Sequence, residues 1–358
     1  MPLCWIDVLT PKQAMFAAKL IPRIEEAGFE VEVTSRRYRE LNEVTELLGL
    51  EARVVGRHGG GTLEGKLRSS LWRSILLAKF ASDVKPDVSL SFASVEASRV
   101  AYGLAIPHVV LCDSPHAEAV ARLSVPLARF LLTPWVIPKD EWVKYGIPEE
   151  NVIHYKALDP WVWLRDFKAN PDVLKSLNLD PSRPIVVCRA LEAQAAYLLG
   201  RAPDVGVSPR LLQLLSGLGD DFQLVVLPRY RGQVSELRKL VGSRGVVVGH
   251  AVDGPSLLAF SSVFVGGGGT MNTEAALLGV PTISCYPGRP PLIQRFLESL
   301  GLVYRILEPE EVAGKVGEVL GDLNTYKRVH KERARRLISQ MEDPLPLIVS
   351  TLRRCLGD

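Results

Sequence analysis

The sequence predicts an α/β protein built from two doubly wound, parallel-sheet domains. Three observations carry this. Short apolar runs alternate with amphipathic stretches along most of the chain, the pattern of βαβ units. At 358 residues the chain exceeds one ordinary core and divides into two of about 150–180 residues. One uninterrupted run, Val263 to Ile283, reads as strand, glycine loop, helix and next strand. A composition of 47% hydrophobic and 23% charged residues supplies a sizeable core and argues against disorder.

In chain order, Leu3 to Leu9 reads as an apolar strand, Lys12 to Ala27 as an amphipathic helix ended by Gly28, and Phe29 to Thr34 as a second strand. Thr10-Pro11-Lys12 stands where a dinucleotide fold carries G-x-G-x-x-G, so a nicotinamide or flavin cofactor is not supported. The pattern then predicts a helix from Arg39 to Gly49, a strand from Ala52 to Val55, a helix from Leu63 to Ala81 and a strand from Asp87 to Phe92. A helix from Val95 to Leu104 and a strand from His108 to Cys112 follow. Thr133 to Pro138 and Tyr155 to Pro171 break the regularity and read as a turn-rich crossing, giving domains of 1–168 and 169–340 with a cleft beside the junction. Beyond it, strands are expected at Pro184 to Cys188, Gln223 to Leu227, Val246 to Val248, Val263 to Val265, Thr282 to Cys285 and Leu302 to Ile306. A helical tail runs from Tyr326 to Cys355.

Ligands of such sheets gather at the carboxyl ends of strands, so the loops after strands hold the candidate residues. Gly266 to Gly269 remove side chains from the path of a ligand, and the helix that follows aims its positive end at the same spot, which favours phosphate. Thr270 and Glu274 lie one turn apart on one helix face; the carboxylate is suited to a vicinal diol such as a ribose. A cap and a dipole partner would explain Thr270 or Glu274 equally well, but not four successive glycines. Arg189, Arg229 and Arg231 follow strands on the same edge, where guanidinium groups would neutralise a diphosphate. Asp253 opens a later helix, and Arg289 with Gln294 follows the strand after the glycine run.

In the first half, His58 within Arg57-His-Gly-Gly-Gly61 is a candidate acid or base on a loop whose glycines permit close approach. The helix after it carries Lys66, Arg68, Arg73 and Lys79 between Leu residues and Trp72, which suits an anionic acceptor or lipid surface, or else a solvated basic face on a packed helix. Asp113 and His116 lie directly after a strand and make a candidate acid–base pair; capping by Asp113 or Ser114 of a helix begun by Pro115, with Glu118 in its first turn, is the alternative. A net charge of +3 with interspersed signs argues against a nucleic-acid partner. Five scattered cysteines read as core residues in a reducing compartment, no metal-ligand spacing and no Asp-x-Asp is present, and no signal peptide or membrane span is evident. The expectation is therefore a cytoplasmic protein with no metal or cofactor.

The glycine run with Thr270 and Glu274 resembles the nucleotide-binding motif of GT-B-fold enzymes, such as the lipid II-forming N-acetylglucosaminyltransferase and the non-hydrolysing UDP-N-acetylglucosamine 2-epimerases. The resemblance implies that Gly267, Gly268, Gly269 and Thr270 line a diphosphate, that Glu274 holds a ribose, and that Asp253 and Arg289 lie near the donor base or sugar. It also implies that residues 341–358 form a helix crossing back to the first domain. His116-x-Glu118-Ala-x-x-Arg122 resembles an epimerase phrase whose Glu takes part in chemistry. More narrowly, Pro86-Asp-Val88, Asp113-Ser-Pro-His116 and the glycine run are similar to a mostly archaeal family of uncharacterised GT-B-fold proteins.

The function so implied is a metal-independent glycosyltransferase using a nucleotide-diphosphate sugar, uridine-linked, and an unidentified acceptor that a membrane surface would present at the inner face. An epimerase-like isomerase and a non-catalytic nucleotide-sugar binder are the alternatives. Two departures from the pattern stand out: Thr10-Pro11-Lys12 replaces the glycines or histidine of many relatives, and Cys188-Arg-Ala-Leu-Glu192 replaces the epimerases' His-Arg-rich phrase.

Overall fold

The computed structural model describes residues 1–190, 207–228 and 231–357. The chain forms two compact units, Met1–Trp163 with Glu342–Asp358, and Leu164–Met341. The first holds a seven-stranded sheet of β1 (Leu3–Val8), β2 (Glu30–Arg37), β3 (Arg53–Arg57), β4 (Val88–Ser91), β5 (His108–Leu111), β6 (Phe130–Pro134) and β7 (Val152–Tyr155), in the order β3-β2-β1-β4-β5-β6-β7. All its neighbouring strands are parallel. Strand order reverses between β1 and β4, which is where a crevice opens at the carboxyl edge of such a sheet.

The sequence pattern missed β6 and β7. Pro134 and the prolines around it suggest irregular turns, yet Pro134 is the last residue of β6, where its missing N–H breaks little of the ladder. All five residues of β6 are buried. The third strand is also longer than expected and includes Gly56 and Arg57.

The second unit holds, among the described residues, a six-stranded parallel sheet of β8 (Ile185–Arg189), β9 (Gln223–Leu227), β10 (Gly245–Val247), β11 (Val263–Gly266), β12 (Thr282–Ser284) and β13 (Val303–Arg305), in the order β10-β9-β8-β11-β12-β13. Its strands read as continuous apolar runs because both faces are covered. Val186, Cys188, Val263 and Val265 enter one core cluster, and their neighbours Ile185, Val187 and Phe264 enter the other. The five cysteines are free thiols, four of them buried.

The predicted tail is two helices, Leu323–Ile338 and Leu345–Leu356. The second belongs to the first unit: it packs on β4, β5 and the helix Pro11–Glu26, and Arg353 donates to the carbonyl of Ala27 at 2.8 Å.

Candidate functional site

Each unit carries a cluster of polar groups at the carboxyl edge of its sheet. In the first unit it centres on Lys12, in the first turn of the helix Pro11–Glu26, which Thr10 caps by accepting from the N–H of Gln13. The ammonium of Lys12 bridges two carboxylates, Asp113 after β5 and Asp159 after β7, the latter at 2.6 Å. Tyr155 donates its hydroxyl to Asp159, and Ser114 donates to Asp113 at 2.8 Å. Burial raises both carboxyls, and their environments then separate them. Lys12 and Ser114 outweigh burial at Asp113 and hold it below the usual carboxylate range. At Asp159 burial and the neighbouring Asp113 charge prevail over Lys12 and hold it above that range. Burial and Asp159 push the Tyr155 phenol well up.

Asp113 and Ser114 do not cap a helix. The following helix is Glu118–Ser124, with Ala117 at its cap position, and Tyr145 anchors the intervening loop by donating to the carbonyl of Pro115 at 2.7 Å. The segment 113–117 is thus a loop that leaves Asp113 facing Lys12. His116 is exposed in it; partial desolvation and Lys12 hold it below its ordinary value, against the pull of Asp113. Glu118 is spent on an exposed i, i+4 pair with Arg122 at 2.8 Å, a surface role.

His58 lies apart from this cluster in the sequence and in its contacts. Its ring packs against Tyr38 with centroids 4.8 Å apart, and Nδ1 accepts from the N–H of Gly60 at 3.1 Å. Burial, then Arg36 and Lys66, push it down to about 4. A neutral ring whose Nδ1 is an acceptor carries its proton on Nε2, so it offers a donor and not a base. The glycines beside it also serve the packing of the fold. A Cβ on Gly59 would stand 2.5 Å from the Cα of Lys66, and one on Gly65 2.4 Å from the carbonyl oxygen of Gly59. They let the loop lie against the helix Leu63–Val84.

Arg73 of that helix is no part of a basic surface. It is fully buried and grips Asp7 at the end of β1 with two bonds of 2.6 and 3.0 Å, while its Nε donates to the carbonyl of Val55 at 2.9 Å. Thr34 adds a bond to Asp7 at 2.6 Å, and Trp5 donates to Thr34 at 2.7 Å. Gly56, at φ +72°, makes room: a Cβ there would meet the Arg73 Cγ at 3.0 Å.

In the second unit the register sets Arg189, Gly266 and Ser284 in one row across the ends of β8, β11 and β12, and Arg305 of β13 continues it. The order of strands reverses between β8 and β11, so Arg189 and Gly266 flank the switch point. Gly268 and Gly269 adopt φ of +93° and +87°, the left-handed region that L side chains avoid. Gly269 is the cap residue of the helix Thr270–Leu277 and no side chain caps that end, so Thr270 is its first residue and not its cap. Glu274 is 3% exposed.

Around this loop lie buried polar atoms without a hydrogen-bond partner: both amide atoms of Asn272, the Ser284 hydroxyl and Oε1 of Gln294. A Cβ on Gly266 would stand 2.5 Å from Asn272 Oδ1, and one on Gly268 3.4 Å from Gln294 Oε1, which locates these atoms against the glycines. Buried polar groups are normally satisfied, so this set of atoms beside a helix end without a side-chain cap makes the loop a candidate ligand position.

Arg189 donates to the carbonyl of Pro228 at 2.9 Å, and Arg289 is exposed in the loop after β12. Both carboxylate oxygens of Asp253 are engaged in its own cap, accepting from the N–H and the hydroxyl of Ser256 at 3.1 and 2.5 Å. Asp253 is therefore the capping residue of the helix Gly254–Phe260. Arg229 and Glu192 lie outside the described residues, and Arg231 opens the helix Arg231–Val241. Sequence reasoning missed Asp159, Tyr155, Asn272, Ser284 and Arg305. Their signal was position alone, at or just past a strand end or within the first turn after the glycines. Among the described residues no group of His, Cys, Asp and Glu is arranged to hold a metal, and no helix is long and apolar enough to cross a membrane.

An uncharacterized protein of Methanocaldococcus jannaschii, MJ0665, is 29% identical over 349 residues, 96% of each chain. Among solved structures, UDP-GlcNAc 2-epimerase from Neisseria meningitidis bound to UDP-GlcNAc superposes with a TM-score of 0.76 at 17% identity, over 99% of this chain and 100% of that one. The Anabaena protein Alr3699/HepE in complex with UDP-glucose superposes with a TM-score of 0.65 at 13% identity over the whole of both chains. These likenesses show a shared architecture, two Rossmann-like parallel-sheet domains of the GT-B kind. A family model described as "Protein of unknown function (DUF354)" matches residues 3–356, and the chain belongs to that family.

Proposed function

We propose that this protein is a glycosyltransferase that moves a sugar from a uridine-diphosphate-linked donor to a hydroxyl-bearing acceptor. The observation that carries the reading is the set of unpartnered buried atoms of Asn272, Ser284 and Gln294 around the positive-φ glycines at the switch point of the second sheet. Gly267 to Gly269 and the N–H groups of Thr270 and the residues after it receive the diphosphate, Glu274 the ribose, and Gln294 with Arg289 the sugar. As the glycosidic bond to the diphosphate breaks, the helix end and Arg189 stabilise the departing charge. In the first unit His116, neutral because its value is lowered, takes the acceptor's hydroxyl proton, and Asp113 stabilises the imidazolium that forms. The solved structures with UDP, UDP-glucose or UDP-GlcNAc support a nucleotide-sugar ligand.

The test is thermal stabilisation by a panel of nucleotides and nucleotide sugars, with Glu274→Ala alongside. A ligand at 100 times its dissociation constant adds about 2.7 kcal/mol to the native state. Stabilisation of wild type and its loss in the variant support the donor site; no stabilisation by any member overturns it.

A second reading, an isomerase acting on the nucleotide sugar, draws on Asp113 and Asp159, two carboxyls driven in opposite directions around one lysine. Product analysis separates the two. An isomerase makes an epimer from the nucleotide sugar alone, whereas a transferase releases the nucleoside diphosphate in step with acceptor glycosylation.

A further inference from the structure

The helix Leu63–Val84 buries one side through Arg73, Leu77, Phe80 and Ala81. Its opposite side is unusual. Leu63 is 67% exposed, Leu67 61%, and Leu71, Trp72 and Ile75 each 60%. Leu63, Leu67, Leu71 and Ile75 fall at i, i+4, i+8 and i+12, a continuous stripe on a helix, with Trp72 beside it. Isolated exposed leucines are ordinary, but five large apolar groups in one stripe are not.

The stripe's border is cationic. Arg68 and Lys79 share the exposed side of the helix with Trp72, and Lys66 is half-buried on its flank. The neighbouring edge strand β3 adds exposed Arg53, Val54 and Arg57. Arg53 stacks over Phe80 of the helix at 5.3 Å, and Ser69 of the helix donates to the carbonyl of Arg57. Against these five cations stand Glu64, paired with Arg68, and Asp83.

The geometry points to this face as a docking surface for an anionic lipid bilayer. Apolar side chains enter the acyl boundary while the guanidinium and ammonium groups meet lipid phosphates, the arrangement of an interfacial helix. The charge decides between occupants. Two copies of this chain pairing through the stripe would bring two cationic borders together, a repulsion that an anionic surface converts into attraction. The inference is independent of the nucleotide site, since no residue is shared.

The experiment is co-sedimentation with vesicles of phosphatidylcholine alone and of phosphatidylcholine with phosphatidylglycerol, at low and high salt, with size-exclusion chromatography of the same samples. The full chain is expected to bind the anionic vesicles preferentially and to be released by salt. Leu67→Ser/Leu71→Ser is expected to abolish binding, and Arg68→Gln or Lys79→Gln to weaken it about fivefold each. These side chains are largely in water, so the variants should melt as wild type does. Trp72→Phe reads the same face through loss of any lipid-induced fluorescence shift. Equal binding to both vesicle types, no binding at low salt, or a wild-type dimer that the serine variant splits would each overturn the proposal, the last assigning the stripe to self-association.

Discussion

Lys12 Nζ lies 2.6 Å from Asp159 Oδ2 while holding Asp113 with the same charge, so one cation from the start of the first helix fixes the loops after β5 and β7. Replacing it by methionine leaves two shielded carboxyls facing each other. Lys12→Met is expected to destabilise the fold by about 3 kcal/mol at neutral pH, the lower end of the range for a broken buried pair because part of the lysine is exposed. A second exchange, Asp159→Asn, should restore much of the loss. Urea unfolding at constant m checks both; a Lys12→Met midpoint equal to wild type would refute the bridge.

His108 sits fully buried among hydroxyls, Ser89 on Nδ1 at 2.7 Å and Ser91 and Ser98 on Nε2 at 3.0 and 3.1 Å. Burial, opposed weakly by Asp7, pushes it from 6.5 down to about 4. Below 6.5 the unfolded chain binds a proton that the native ring refuses, so its contribution is complete above 6.5 and is lost as pH falls to about 4, on the order of 3 kcal/mol. His108→Gln should flatten stability between pH 7 and 4 relative to wild type. His58 and His330 share the direction, so some slope remains. An unchanged slope in the variant would count against a neutral buried ring.

The two left-handed glycines in the loop after β11, Gly268 and Gly269, are not equivalent. A Cβ at Gly269 meets nothing within 4 Å, so Gly269→Ala carries the backbone strain alone, about 1–2 kcal/mol. At Gly268 the methyl also presses on the Tyr286 ring at 3.0 Å, and a larger loss is expected. Both should weaken nucleotide-induced stabilisation. Denaturation midpoints in the reverse order would contradict the placement of Tyr286 against the loop.

Arg73→Met removes the partner of Asp7 and should destabilise by about 3–5 kcal/mol, since a buried carboxylate is left unpaired. Asp7→Asn/Arg73→Met should be more stable than Arg73→Met alone. A double-mutant cycle with additive losses would mean the bidentate pair contributes no coupling.

Fold class and the strand–glycine loop–helix unit were legible because both are written in neighbouring residues: alternation within a strand or helix, and a strand, loop and helix in one run. The Lys12, Asp113 and Asp159 cluster was only partly legible. Asp113 was found from its place after a strand, but Asp159 sits in a stretch whose Pro160 and Trp161 read as a crossing, and its meeting with Lys12 depends on seven strands aligning. Arg73 misled for the same reason. Its helix looks basic from spacing, and only the sheet reveals Asp7 beneath it. Asp253 and Glu118 show the reverse, residue types suited to chemistry that local capping and pairing absorb.

The chain leaves the first unit at Trp163 and returns at Glu342, whose N–H bonds the carbonyl of Lys156 within that unit at 2.8 Å. Ile348 and Leu352 of the returning helix are wholly buried against a sheet whose strands end at Tyr155. During synthesis that sheet therefore waits, one flank uncovered, while the entire inserted unit emerges at about 5–20 residues per second. Joining the ends through an unstructured insert of this length would cost about 4–5 kcal/mol of chain entropy, which an insert already folded on itself greatly reduces. The first unit is therefore completed by a segment translated after the whole of the second.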